Sequence, residues 1–207
     1  MEQLNFTTAL LILTGLVSWQ AFSRPDMYQK LMFVPYEIKR QKDYFRFLTH
    51  GMVHVDLNHL LFNILTLYMF GIGVEYYFKA YFGPQIGITL YILFYFSGIV
   101  LSALPDYFRH QDNPGYRAVG ASGGVSAVVF GYIFINPWDK VFWIIPAGIY
   151  GVLYLAYSAY MDRYGNDNIG HSAHFWGGLY GIVFVYSLLK LTRPDVLNII
   201  FQNYFIF

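Results

Sequence analysis

GASGGVSAVVFGYIFI, residues 120–135, contains no charged side chain and stops at Asn136-Pro137. Such a run reads as a membrane-spanning segment. Its Gly123, Ala127 and Gly131 recur at i+4 and so share one helical face. A second uncharged stretch, within residues 173–191, carries Gly177 and Gly181 at the same spacing. Small residues at i+4 let two helices approach closely in a bilayer, so these two segments are expected to pack against each other.

The rest of the 207-residue chain follows the same pattern. Hydrophobic side chains make up 57% and charged ones only 12%, about half the charged share of a soluble domain. Disorder is excluded by that composition, and a basic nucleic-acid binder by a net charge of +1. With no Cys, there is no disulfide scaffold, thiolate metal site or Cys nucleophile. At roughly 20 residues per crossing, six spans with short loops would use nearly the whole length. Apolar runs and their breakers place them near residues 8–22, 57–78, 86–104, 121–135, 141–160 and 173–191. The fifth contains Pro146, expected to kink it. The expectation is an all-α, six-transmembrane-helix bundle of one domain, residues 1–207.

The flanks and loops add detail. Residues 1–5 contain no Lys or Arg, unlike the basic start of a signal peptide, so the first span is expected to be retained. The tail, residues 196–207, is apolar but too short to span and is expected at the interface. The connection over residues 23–56 mixes cations with aromatic and aliphatic side chains, as an ordered loop would. Arg24, Lys30, Lys39, Arg40, Lys42, Arg46, Arg109, Arg117 and Arg163 fall on odd-numbered connections, against Lys79, Lys140, Lys190 and Arg193 on the other face. Positive-inside counting assigns the odd loops to the cytoplasm.

Polar groups inside a membrane are costly and point to function. His59 and Asn63 lie at i, i+4 at the start of the second segment. Ser122 opens the fourth, and His174, after His171, opens the sixth. Even-numbered segments all start from one face, so these four residues share a depth. If the glycine stripes face each other, Ser122 and His174 can come within hydrogen-bond reach, the minimum for an activated nucleophile. Ordinary alternatives remain. A membrane Ser commonly bonds back to its own helix, a His near a helix start is commonly interfacial, and His50, His54 and His59 could ligate a metal, although no HExxH motif accompanies them.

Taken together, these motifs resemble the rhomboid family of intramembrane serine proteases over nearly the whole chain. Gly120-Ala121-Ser122-Gly123 matches its GxSG, and His59-Leu60-Leu61-Phe62-Asn63 its HxxxN. Ala173-His174-Phe175-Trp176-Gly177, with Gly181, is similar to its sixth-helix motif. Residues 45–50 look like its first-loop signature, with Phe45 where Trp is common. The resemblance implies a Ser122–His174 dyad with no third residue evident to orient the imidazole. His59, Asn63 and the Ser122 N–H would stabilise the oxyanion. Ser126, one turn deeper, is a decoy; His171 is a supporting or interfacial residue, and Glu75 a buried structural partner. The family implies membrane-protein substrates cut in their transmembrane segments, and no cofactor, metal or nucleic acid. It also implies a bacterial-type cell membrane, a cytoplasmic N-terminus and a site opening outward, against the charge count. A non-proteolytic pseudoprotease that binds transmembrane helices is the competing class. A transporter would instead show inverted repeats and midplane ion pairs.

Overall fold

The computed structural model describes residues 5–141, 143–167 and 169–204. The expected sequence flank at residues 1–4 and the last three residues of the tail lie outside them. Helix α1 is Phe6–Phe22, followed by the short helices α2 (Pro25–Leu31), α3 (Pro35–Gln41) and α4 (Arg46–Thr49) and a 3-10 turn, His50–Met52. Helices α5 (Leu57–Phe82), α6 (Pro84–His110) and α7 (Ser122–Ile135) come next. A two-residue hairpin pairs β1 (Lys140–Val141) with β2 (Ile145–Pro146). The chain continues through α8 (Ala147–Tyr164), α9 (His171–Thr192) and α10 (Pro194–Tyr204).

Among the described residues, three helices are long and apolar enough to cross a membrane: α5, α6 and α9. Helices α1 and α7 are apolar but shorter. All but two of the 14 residues of α7 are buried. A helix enclosed by α5, α6 and α9 meets protein rather than lipid over most of its surface.

Two segment boundaries depart from the sequence reading. The fifth helix starts at Ala147, because the paired β1 and β2 precede it and Pro146, with φ −54° and ψ 132°, stands at the helix N-cap. A proline with extended ψ precedes a helix without strain, and Pro146 therefore kinks nothing. The third segment was expected to stop at Leu104, yet α6 continues through Pro105 to His110. Tertiary contacts hold that end: the Tyr116 hydroxyl donates to Asp106 at 3.1 Å, and the Phe47 and Tyr107 rings pack 5.3 Å apart.

The long first connection is ordered. Arg46 is buried and donates through Nη1 to the carbonyls of Gln29 and Met32, both at 2.9 Å, while pairing with Glu37 at 2.6 Å and Asp43 at 3.3 Å. One guanidinium thus staples α2, α3 and α4 by bonds that only a fork of five donors can make. Phe33 and Ala118 exchange backbone hydrogen bonds at 2.9 and 3.0 Å, tying this loop to the strand of chain before α7.

Small residues set how near the helices come. A Cβ on Gly177 would stand 2.3 Å from the Gly123 carbonyl oxygen, and one on Gly181 2.2 Å from that of Ala127. The two stripes therefore face each other, as expected from their spacing. On the far side of α7, a Cβ on Gly123 would fall 1.9 Å from Ser102 Oγ of α6. At the opposite end of the bundle, Glu75 of α5 caps α1. Its carboxylate accepts from Phe6 N (3.0 Å), Thr7 N (2.8 Å) and Thr7 Oγ1 (2.7 Å), with Lys79 closing the ion pair. Helix α10 folds back on α7, where the Tyr204 hydroxyl donates to Phe134 O at 2.8 Å and Trp138 Nε1 to Asn203 O at 2.9 Å.

Two outcomes are expected. Glu75→Gln keeps the shape but weakens the charged cap, and should cost about 1.5–3 kcal/mol in detergent unfolding, with α1 the first element to exchange its amides. Gly181→Val forces α7 and α9 apart against a backbone carbonyl and should cost about 1–3 kcal/mol. Wild-type stability of Gly181→Val would mean that the bundle can relax at this contact.

Candidate active site

Ser122 is the first residue of α7 and is half-buried. The turn before it depends on Gly120, whose φ of +123° suits only glycine and whose Cβ would lie 2.6 Å from the His59 ring. Gly120 N–H donates to His50 O at 2.9 Å and Ala121 N–H to His54 Nε2 at 3.2 Å. Ala121, at the N-cap, contributes no side-chain cap, so the first-turn N–H groups of α7, beginning with that of Ser122, have no intrahelical acceptor.

His174 sits in the first turn of α9, which begins at His171 after Gly170. One turn further along, Gly177 lies on Gly123, and Ala173 O is 3.7 Å from where a Gly123 Cβ would be. The first turns of α7 and α9, which carry Ser122 and His174, are therefore in backbone contact. Among the described residues no side-chain hydrogen bond joins Ser122 to His174.

His174 has a partner that sequence reasoning missed. Its Nδ1 is 3.1 Å from the hydroxyl of Tyr154 on α8, and the two rings stack with centroids 6.1 Å apart. The expectation that nothing orients the imidazole is corrected by this contact. Tyr154 belongs to a series, Tyr150, Tyr154 and Tyr157, at i, i+4, i+7, and nothing in the sequence separates it from its neighbours. His171 is buried beside His174, with ring centroids 6.0 Å apart, and its Nε2 is 3.2 Å from Asp167 Oδ2. The hydrogen bond to His171 holds the Asp167 carboxyl below its ordinary range.

The other candidates lie on α5. Asp56 caps that helix by accepting from His59 N at 2.7 Å, and the His59 ring packs against Gly120 and, with centroids 5.0 Å apart, against His54. Asn63 is buried one turn deeper, and its Nδ2 donates to His59 O at 2.9 Å. Its side chain lines a small cavity with Thr14, Tyr95, Ala121 and Val125, so it lies under the turn that leads into Ser122. Ser126 is buried one turn beyond Ser122.

The first-loop histidines do not converge on a common point as metal ligands would. His50 Nδ1 is bonded to Arg46 O at 2.9 Å, and both nitrogens of His54 are engaged, by Ser18 Oγ at 2.9 Å and by Ala121 N–H. Among the described residues no group of three or more His, Cys, Asp or Glu could hold a metal. Burial pushes His50 down to about 4. His54 is pushed down to about 3 by burial and, secondarily, by His59. Both rings are neutral near pH 7.

Long apolar helices arranged around an enclosed central one define a multi-pass integral membrane protein. A family model described as Rhomboid domain matches residues 41–191, and the chain belongs to the rhomboid family. It is 27% identical to Rhomboid protease GlpG of Haemophilus influenzae, over 91% of this chain and 92% of that one. It is 27% identical to RHOMBOID-like protein 12, mitochondrial, of Arabidopsis thaliana over 78% of this chain, and 30% identical to Rhomboid-related protein 1 of Caenorhabditis elegans over 73%. The chain spans about half of the Arabidopsis relative (51%) and less of the nematode one (42%), whereas it spans nearly all of GlpG.

Neutral buried histidines make stability depend on pH. Below the ordinary histidine pKa the unfolded chain takes up protons that the native chain refuses, so stability is full above about pH 6.5 and falls as pH drops toward the native values. Each of His50 and His54 should contribute up to about 1.4 kcal/mol per pH unit in that window. In detergent unfolding from pH 7.5 to 4.5, His54→Gln should remove one share of the slope. An equal slope in that variant would contradict a neutral, buried His54.

Proposed function

We propose that the chain is an intramembrane serine endopeptidase that cuts transmembrane segments of other membrane proteins through Ser122 and His174. The observation that carries this reading is the backbone contact of α7 with α9 at Gly123 and Gly177, one residue beyond Ser122 and one turn beyond His174. Family membership and the likeness to a relative named as a protease support it.

In this mechanism Ser122 Oγ attacks the scissile carbonyl carbon while His174 Nε2 accepts the hydroxyl proton. The proton then passes to the departing amine, and water admitted to the site hydrolyses the acyl-enzyme by the reverse sequence. Nε2 can act as a base only if the other nitrogen carries the ring proton. The mechanism therefore needs Nδ1–H to donate to the Tyr154 hydroxyl, which lies 3.1 Å away and can accept it. The oxyanion would be met by the Ser122 N–H, His59 and Asn63, one such donor being worth roughly 3–4 kcal/mol. Catalytic hydrogen bonds commonly tighten only when substrate is bound, which accords with a dyad at rest without a Ser122–His174 bond. A peptide bond in an intact helix is shielded by its own hydrogen bonds, so substrates with Gly or Pro near the scissile bond should be favoured.

The same reading takes residues 1–207 as one domain crossing the bilayer six times, in a bacterial-type cell membrane. The N-terminus would be cytoplasmic and the site would open outward. The enclosed α7 can complete a crossing with 14 helical residues because protein surrounds it.

The test is cleavage of a reporter transmembrane substrate in liposomes, alongside labelling by a serine-directed fluorophosphonate. Ser122→Ala and His174→Ala should each abolish turnover, and the double variant should be no worse than either, since the pair acts as a unit. Ser126→Ala should stay close to wild type, and Tyr154→Phe should lose activity while retaining the adduct on Ser122. An active Ser122→Ala alongside an inactive Ser126→Ala would overturn the nucleophile. A folded protein that binds transmembrane helices but never labels would be a non-proteolytic helix binder instead.

A further inference from the structure

His54 contributes to no step above, yet it is fully buried and both of its ring nitrogens are in use. Its proton can be placed from the chemistry of its neighbours. Ser18 Oγ lies 2.8 Å from Met52 O and 2.9 Å from His54 Nδ1. A carbonyl oxygen only accepts, so the single hydroxyl proton of Ser18 goes to Met52, and Ser18 must receive a proton from Nδ1. At the opposite edge of the ring, Ala121 N–H can only donate, so Nε2 must offer a lone pair. Two independent contacts, one from α1 and one from the start of α7, therefore demand the same form: neutral, with hydrogen on Nδ1.

That form matters for the chain entering α7. Gly120 N–H is held by His50 O and Ala121 N–H by His54 Nε2, so two successive amides are fastened to one loop. The next amide is that of Ser122, the first without an intrahelical acceptor. We propose that His54 is a positioning residue, locked in its Nδ1–H tautomer by Ser18, which holds the Gly120–Ser122 backbone so that the Ser122 N–H and hydroxyl keep a fixed direction. The consequence for catalysis rests on the protease reading; the tautomer and the backbone anchor do not. The charged and titratable groups facing the ring are His50 and Asp56 from the loop and His59 from α5, and burial keeps the ring neutral among them. Losing the acceptor would leave Ala121 N–H buried and unpaired, and an error of about 1 Å in a reacting group can cost on the order of 10²-fold in rate.

The experiment has a structural arm and a kinetic arm, both on the full chain in detergent micelles. In the structural arm, histidine 15N shifts should report the Nδ1–H tautomer for His54 at pH 7 and at pH 5, and Ala121 N–H should be protected from exchange. Ser18→Ala, which leaves Ala121 N–H holding Nε2, should keep the tautomer but loosen the ring and weaken the protection of the Ala121 amide, and His54→Leu should expose that amide. In the kinetic arm, His54→Leu should lower kcat by up to about 10²-fold with KM nearly unchanged, and slow fluorophosphonate labelling of Ser122. His54→Gln, whose side-chain oxygen can accept from Ala121 N–H, should recover part of that loss. Ser18→Ala guards against misfolding, since it removes only a hydroxyl. An Nε2–H tautomer in the wild-type protein, or wild-type kcat in His54→Leu, would overturn the proposal. If wild-type protein neither cleaves nor labels, the protease reading fails while the tautomer and exchange data still decide the anchor.

Discussion

The approach of α7 to α9 at backbone contact is the constraint on which the rest of the molecule depends. At Gly123 facing Gly177, and again at Ala127 facing Gly181, the room left is smaller than a methyl group. In a bilayer the hydrophobic effect does not press helices together, so close packing must supply much of the attraction. Once α7 is drawn onto α9, its other faces must be covered as well. Gly98 and Gly124 bring α6 in, with Gly98 against Ala127 and Gly124 against Ile99 and the Tyr95 carbonyl, and α5 closes the remaining side. Helix α7 ends as a core element with two residues left partly open, one of them Ser122.

Burying so much backbone and so many polar groups is costly wherever a partner is lacking. The structure answers this with a few multiply bonded side chains. Glu75 takes three donors from the start of α1 and a cation from its own helix. Arg46 satisfies two carbonyls and two carboxylates in the first connection. His54 joins α1 to the turn before α7. Glu75 and His54 tie together segments remote in sequence, while Arg46 fixes the loop over residues 23–56 within itself.

How much of this was legible in the sequence follows from the range of each signal. The stripes in residues 120–135 and 173–191 are local patterns with one physical meaning, and they correctly implied facing helices. Chain crossing led to the expectation that His59, Asn63, Ser122 and His174 gather at one end, and the structure sets the His59 ring against Gly120 and the first turn of α7 beside that of α9. The motif order identified the family, which the match over residues 41–191 bears out. The segment end at residue 104 and the kink at Pro146 were misplaced for one reason: a proline, as at 105 and 146, says that a backbone donor is missing, not whether a helix stops, continues or begins there. Neighbours decide that, Asp106 and Tyr116 in one case and the β1–β2 pairing in the other. Tyr154 was invisible because a tyrosine repeated at helical spacing has no mark showing which ring will meet a histidine on another helix.

The candidate site also owes something to where helices begin. Helices α5, α7 and α9 all start near it, so the positive ends of three helix dipoles converge on one small volume. Asp56 offsets one of them with a side-chain cap. The starts of α7 and α9, at Ala121 and Gly170, have no side-chain cap, and their first-turn donors remain available. Such a field favours negative charge and opposes an additional positive one. An anion set beside these two starts would meet oriented N–H groups that have no intrahelical acceptor. The same glycines that let α7 and α9 touch thus also bring their uncapped ends side by side, and packing and electrostatics at this site become one property of the backbone.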